Sequence, residues 1–358
     1  MPIALSFFIL LFFLGAALSF RMDQYGYVQR ENTNVLMVVC VVLVMCAGFR
    51  DQMRWADTYG YAYTFIWDNT PIWNYTFGDG TSRYAEKCFF FLGTVVKTFT
   101  DNTIVYFTFI SALTFIFLYQ DLKKYSVYPL LGLAVYVARF YCGRNMVQIR
   151  CGLSYAIVLL GLKYIFEKNL LKYLLVVGIA YLFHRSALIA IPAYFICNTI
   201  KLKKTHILLG LAIAFYFGAY GQNFLHTILE DNADDMGISD YVESTGSMGF
   251  VTGKGLLNPL IYFQLGILLV YMYMEDFLAP LSKYYYVFRD CYFYSTVILI
   301  AFCSYAVLSG RSATLFATVE FGMIPMMLTY AYKRYGWTMV LGAGALLSAL
   351  FYLNFYGH

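Results

Sequence analysis

The sequence predicts an all-α polytopic integral membrane protein of about 12 transmembrane helices, given roughly 20 apolar residues per span and about 10 per connection. Three observations lead there. Of the 358 residues, 61% are apolar and only 13% charged, against about a quarter charged in soluble domains. Mean hydropathy is +0.64, and aromatics make up 20% of the chain, with 35 Tyr and 33 Phe. The apolar runs recur along the whole length and are punctuated by short basic connections. This composition excludes a soluble enzyme, a disordered chain and a nucleic-acid-binding domain. It also leaves no room for a separate soluble domain, so 1–358 reads as a single transmembrane domain.

The elements follow in chain order. The run from Pro2 to Phe20 lacks the basic n-region of a signal peptide, because no Lys or Arg precedes Arg21, and it reads as a first span. A second span covers 34–49. Residues 50–86 then form a polar stretch carrying Trp55, Tyr59, Trp67, Trp73 and Tyr75. Pro71 and the Gly78-Asp79-Gly80 turn forbid one long helix there, so a structured extracytoplasmic loop is expected. The stretch 86–99 is short and polar for a span and reads as a partial or re-entrant helix. Further spans are expected at 103–119, 126–142, 150–165, 170–183, 187–200, 206–226, 256–274, 288–308, 312–332 and 337–355. An acidic extracytoplasmic loop, 227–255, carries Glu230, Asp231, Asp234, Asp235, Asp240 and Glu243.

Charge gives the orientation. Cytoplasmic loops are enriched in Lys and Arg, and the connections assigned inside hold Arg21, Arg30, Lys123, Lys124, Lys163, Lys168, Lys172, Lys201, Lys203, Lys204, Lys283, Arg289, Lys333 and Arg334. Both termini are then outside. The exceptions to the rule cluster: Arg50, Arg54, Arg83 and Lys87; then Arg139, Arg144 and Arg150; then Arg185. Arginines that break a topology rule in groups are candidates for a different task. The eight cysteines lie mostly in apolar runs without C-x-x-C spacing and read as small packing residues. Four scattered histidines do not make a His-based metal cage.

Ionisable groups at membrane depth are expensive and default to functional hypotheses. Arg144 and Arg150 flank a short connection. Six residues put them about 240° apart on one continuous helix, so a break near Gly143 or Asn145 is needed for both to face one cavity. Arginine suits phosphate because its planar fork bonds bidentately and keeps its charge when desolvated; snorkelling to headgroups is the plain alternative. His184 sits where the chain turns between two short apolar arms, below the outer surface, beside Arg185 and Ser186. A base and a phosphate ligand are both open roles for it. Asp57 and Glu86 are candidate bases or hydroxyl acceptors, with a loop salt bridge as the alternative for each. Arg311 opens a late span on the outer side, and Glu320 lies deeper in it. The loop aromatics Trp55, Tyr59, Trp67 and Trp73 can stack on sugar rings or form an interfacial belt.

The chain resembles the EpsG-type members of the Wzy polysaccharide polymerases. The likeness rests on Phe49-Arg50 followed by Asp57 and Tyr59, on Glu86 opening the next apolar segment, on Ile149-Arg150 entering a span of small residues that includes Ala156, and on a Lys-bounded turn (Lys163, Lys168, Lys172-Tyr173). Its most specific stretch is Ala180-Tyr181-Leu182-Phe183-His184-Arg185-Ser186-Ala187-Leu188-Ile189. Gly310-Arg311 and Pro325 extend it, and Cys151 departs from it where the family often has Gln. The resemblance implies a fold related to the integral membrane (GT-C-like) glycosyltransferases. It implies an enzyme at the outer face of the bacterial inner membrane that transfers an undecaprenyl-pyrophosphate-linked oligosaccharide onto another lipid-linked unit, in O-antigen, capsule or exopolysaccharide synthesis. Arg150, Arg144, Arg50 and Arg311 would hold the pyrophosphate without a metal or other cofactor. His184, Asp57 and Glu86 would be catalytic, the loop aromatics would bind sugar, and a chain-length regulator is a candidate partner.

Two other classes compete. A flippase for a lipid-linked sugar should show two comparable halves with gates on both faces, whereas here the unusual charges sit on one face. A membrane O-acyltransferase needs its His facing the cytoplasm, and the charge-derived topology puts His184 on the other side.

Overall fold

The computed structural model describes residues 2–20, 33–75, 86–200, 202–221 and 254–356. Among these, every regular element is helical. In chain order they are α1 (Pro2–Ser19), α2 (Thr33–Gly48), α3 (Thr58–Tyr63) running into a π-helical turn (Thr64–Asp68), α4 (Lys87–Lys97), α5 (Thr103–Tyr125), α6 (Pro129–Tyr136) running into a π-helical segment (Val137–Val147), α7 (Ile149–Leu160), α8 (Leu162–Phe166), α9 (Leu170–Tyr181), a 3-10 turn (Arg185–Ala190), α10 (Ile191–Asn198), α11 (Lys204–Tyr220), α12 (Pro259–Tyr273), α13 (Glu275–Leu278), α14 (Tyr285–Ala301), α15 (Ala306–Ala317), α16 (Glu320–Tyr335) and α17 (Trp337–Tyr356).

Among the described residues three helical runs are long and apolar enough to cross a membrane by themselves: Thr103–Tyr125, Ile149–Phe166 (α7 continued by α8) and Trp337–Tyr356. Ile3–Ser19, Asn34–Gly48 and Leu170–Tyr181 are shorter apolar helices. The segment expected as one span over 312–332 is divided, because α15 ends at Ala317 and α16 begins at Glu320. The acidic loop 227–255 lies outside the described residues.

Helix ends follow local chemistry. Asn102 caps α5 by accepting the Ile104 N–H at 2.8 Å, Asn169 caps α9 by accepting the Lys172 N–H at 3.1 Å, and α6 and α12 start on Pro129 and Pro259, whose missing N–H costs nothing at that position.

The chain forms two compact units, Met1–Ile191 with Glu320–His358, and Pro192–Val319. In the first, α5 packs against α2 and α7, α7 against α9, α1 against α6 and α17, and α16 against α6. Between lipid-embedded helices apolar burial drives little, so polar bonds and close packing carry the association. Tyr141 Oη donates to the Leu43 carbonyl at 2.7 Å, Ser154 Oγ to that of Ala180 at 2.9 Å, Tyr173 Oη to that of Ala190 at 2.7 Å, and Asn354 Nδ2 to that of Ala138 at 2.8 Å. Bonds of this type average about 0.6 kcal/mol, up to about 2. In the second unit α14 packs against α11, α12 and α15, and Ser295 Oγ donates to the Ala313 carbonyl at 2.6 Å.

Candidate functional site

The site is built around the junction between the π-helical segment and α7. The helix path breaks at Gln148 (φ −94°, ψ 59°), a few residues beyond the Gly143–Asn145 break that the arginine spacing calls for. Arg144 closes the segment before the break and Arg150 opens the first turn after it. The two then have different surroundings. Arg144 is buried, its guanidinium 4.8 Å from the Phe140 ring centre and 5.0 Å from that of Tyr155. Arg150 Nη1 donates to Glu86 Oε2 at 2.6 Å, and its Nε donates to Tyr61 Oη at 3.3 Å.

Glu86 also accepts from the backbone N–H of Arg185, through Oε1 at 3.4 Å. Three stretches far apart in sequence therefore converge on one carboxylate: the entry to α4, the start of α7, and the turn at His184. That turn forms because α9 ends at Tyr181 and His184, in extended conformation, caps the 3-10 turn that follows. His184 Nδ1 accepts the Ser186 N–H at 3.2 Å and lies 2.6 Å from Ser186 Oγ. A ring nitrogen that accepts a backbone N–H carries no proton, so the neutral ring bears its proton on Nε2 and presents a donor there.

Arg50 is a brace. It is 7% exposed, stacks on Phe107 with 4.3 Å to the ring centre, and donates to the carbonyls of Ala47 (2.6 Å) and Met146 (2.8 Å). Burial pulls its guanidinium down to about 10, which leaves it charged at neutral pH. Thr58 Oγ1 donates to the same Met146 carbonyl at 2.9 Å. The last turn before the break is thus held by two donors from 50–58, a segment that also carries α3 and Tyr61 toward Arg150.

Asp57 starts α3 with a left-handed backbone (φ 62°) and an exposed side chain that makes no capping bond. Of the loop aromatics, Tyr59 and Trp67 are exposed at 60% and 71%, and Tyr63 joins them, with ring centres 6.5 Å apart at each step along one helix face. Trp73 is also exposed. Trp55 differs from the sequence expectation of a sugar platform: it is 4% exposed, set edge-on to Phe355 at 5.5 Å with Arg54 at 5.1 Å. Its ring belongs to the packing of α17 against the loop.

Glu86, Arg150 and His184 are brought together. Arg50, Arg144, Asp57, Tyr59, Trp67 and Trp73 belong to the same unit, whereas Arg311, on α15, belongs to the other. Sequence reasoning missed Tyr61, Thr58 and Ser186 as partners of these groups. It counted Arg139 among the exceptional arginines but gave it no role; the structure pairs it with Glu320 through Nε–Oε2 at 2.9 Å and Nη2–Oε1 at 3.3 Å. Tyr61 lies two residues after Tyr59, but nothing in a Tyr-rich loop marks which ring turns inward. Among the described residues no three His, Cys, Asp or Glu side chains converge as metal ligands.

The EpsG family model matches residues 34–357. This chain belongs to the EpsG family. The match takes in every element of the site, from the end of α2 through the His184 turn to α17, and EpsG membership supports polysaccharide polymerisation as the general activity and the membrane as its place. No curated protein matches the chain, and no solved structure matches it.

Proposed function

We propose that this EpsG-family protein is a glycosyltransferase of the bacterial inner membrane. It transfers an oligosaccharide from undecaprenyl pyrophosphate onto the end of another lipid-linked unit, with its site on the outer face and twelve spans overall. The observation that carries the reading is the carboxylate held between the Arg150 guanidinium and the Arg185 backbone N–H, beside His184. A guanidinium and a backbone N–H converging on two anionic oxygens are the groups that hold a phosphate. Arg150 receives the pyrophosphate and Arg144 adds positive potential from the buried side of the junction. Arg50 positions the junction. These arginines offset the leaving-group charge in the role a metal plays elsewhere.

His184, with its proton on Nε2, donates to the pyrophosphate, which leaves the base role to Glu86 or Asp57. Tyr59, Tyr63, Trp67 and Trp73 offer apolar ring faces for sugars, and a chain-length regulator is the protein partner to look for. The test is a transfer assay with purified protein and an undecaprenyl-pyrophosphate-linked oligosaccharide. Polymer of two or more units is expected from the wild type and roughly 10- to 150-fold less of it from Arg150→Ala. Lipid-linked sugar moved across vesicles with no polymer formed makes the protein a transporter and overturns the reading.

A further inference from the structure

We infer that Glu86 is a displaceable placeholder on Arg150: the donor's pyrophosphate takes its position, and the carboxylate so released becomes the base. This rests on the polymerase reading above and adds to it an order of events.

The local chemistry of Glu86 is unusual for its place. It precedes α4 at the capping position, where orphan N–H groups attract a side-chain acceptor. Yet it makes no capping bond. Its two oxygens go instead to Arg150 and to the Arg185 N–H, 64 and 99 residues away in sequence.

The same unit contains a second arginine–carboxylate pair, and the contrast between them is informative. Arg139 and Glu320 meet through two parallel bonds, at 2.9 and 3.3 Å, with side chains 6% and 0% exposed. That is a closed, bidentate pair, and breaking it would strand a buried charge. Arg150 and Glu86 meet through one guanidinium nitrogen, with side chains 19% and 7% exposed. The second bond to Glu86, from the Arg185 N–H, is at the long end of the range at 3.4 Å. A pair held at a single point, on an arginine that is partly accessible, is open to exchange. A pyrophosphate carries more charge than a carboxylate and can occupy the arginine fork bidentately, so it outcompetes Glu86 for the same donors.

The chemical step then balances without another reactant. The freed Glu86 carboxylate takes the proton of the acceptor hydroxyl, and the hydroxyl oxygen's electron pair forms the new bond to the anomeric carbon. The old bond from that carbon to the pyrophosphate oxygen breaks with its electrons on the oxygen, where Arg150 holds the charge. Glu86 loses the proton to water when it returns to Arg150. The base is thereby available only while a donor is bound.

Two measurements test this. Binding of undecaprenyl pyrophosphate, without glycan, is measured in detergent for the wild type and for Glu86→Gln. Removing the competing anion should tighten binding about tenfold, which is about 1.4 kcal/mol, while polymer formation falls at least about 100-fold, as for loss of a general base. Weaker or unchanged binding in Glu86→Gln makes the pair a structural brace and overturns the inference. Should that variant not fold, carbodiimide labelling of the wild type, read by peptide mass spectrometry, decides. Labelling of Glu86 should rise when undecaprenyl pyrophosphate is added, and unchanged labelling with the lipid bound overturns the inference. Failure of the underlying reading looks different: Arg150→Ala would then bind the lipid as well as the wild type does.

Discussion

Arg150 and Arg144 illustrate how much a single side chain's neighbours decide. Both are arginines near one helix break, but one faces a carboxylate and a tyrosine hydroxyl and the other lies between two aromatic rings. Arg150→Lys keeps the charge and loses the planar fork, so it should behave nearly as badly as Arg150→Ala. A charge-assisted bond of about 1.5–3 kcal/mol puts the loss at roughly 10- to 150-fold in polymer formed per folded enzyme; near wild-type output from both variants would mean the side chain only braces Glu86. For His184, the Ser186 N–H on Nδ1 makes Nε2 a donor. His184→Gln keeps a donor and should retain measurable activity, while His184→Ala should not. If Gln is as inactive as Ala, and wild-type activity falls on mild acidification from neutrality, the ring is a base instead.

At the scale of elements, the junction between the π-helical segment and α7 depends on a glycine. A Cβ on Gly152 would meet the Arg144 carbonyl oxygen at 2.6 Å and Arg144 Cβ at 3.1 Å. Both are atoms of the packed segment that cannot swing away. Gly152→Val should therefore force α7 off the segment, costing about 1–3 kcal/mol as an overpacking change, and lower both thermal stability in detergent and activity. Unchanged stability would show the junction to be loose.

The aromatic loop separates in the same way into parts with different jobs. Trp55→Ala should lower thermal stability, because a buried ring is lost from the contact with Phe355 and Arg54. Trp67→Ala, at an exposed ring, should leave stability within about 0.5 kcal/mol and weaken glycan binding, measured by titration with the free oligosaccharide repeat. A stability loss in Trp67→Ala with glycan binding intact would assign that ring to the bilayer interface.

For the whole molecule, the basic connections set a topology that can be tested directly. Lys123, Lys168, Lys203 and Lys333 should be inaccessible from outside, and Asp79 and Asp240, which lie outside the described residues, accessible. Single cysteines at these positions in a Cys-free background, treated with an impermeant thiol reagent on intact cells, give the answer. Labelling at position 203 would reverse the orientation and put His184 on the cytoplasmic side.

What the sequence determined by itself is the helical, lipid-facing character of the chain, the candidate residues and the family. Composition and hydropathy are sums over many residues, so no single contact can upset them. The His184 stretch is local, so its turn is readable from two short apolar arms around a polar pair. Charge patterning marked Arg139, Arg144 and Arg150 as exceptional because a membrane penalises each one separately. Tertiary structure alone decided what those groups do. That Arg139 is locked to Glu320 while Arg150 holds Glu86 through one bond, that Arg50 braces the Met146 carbonyl, and that Trp55 is packed while Trp67 is exposed all depend on partners tens to hundreds of residues away. A guanidinium's role is set by the acceptors within about 3 Å of it, and no periodicity in the chain reports which distant acceptor the fold will bring there.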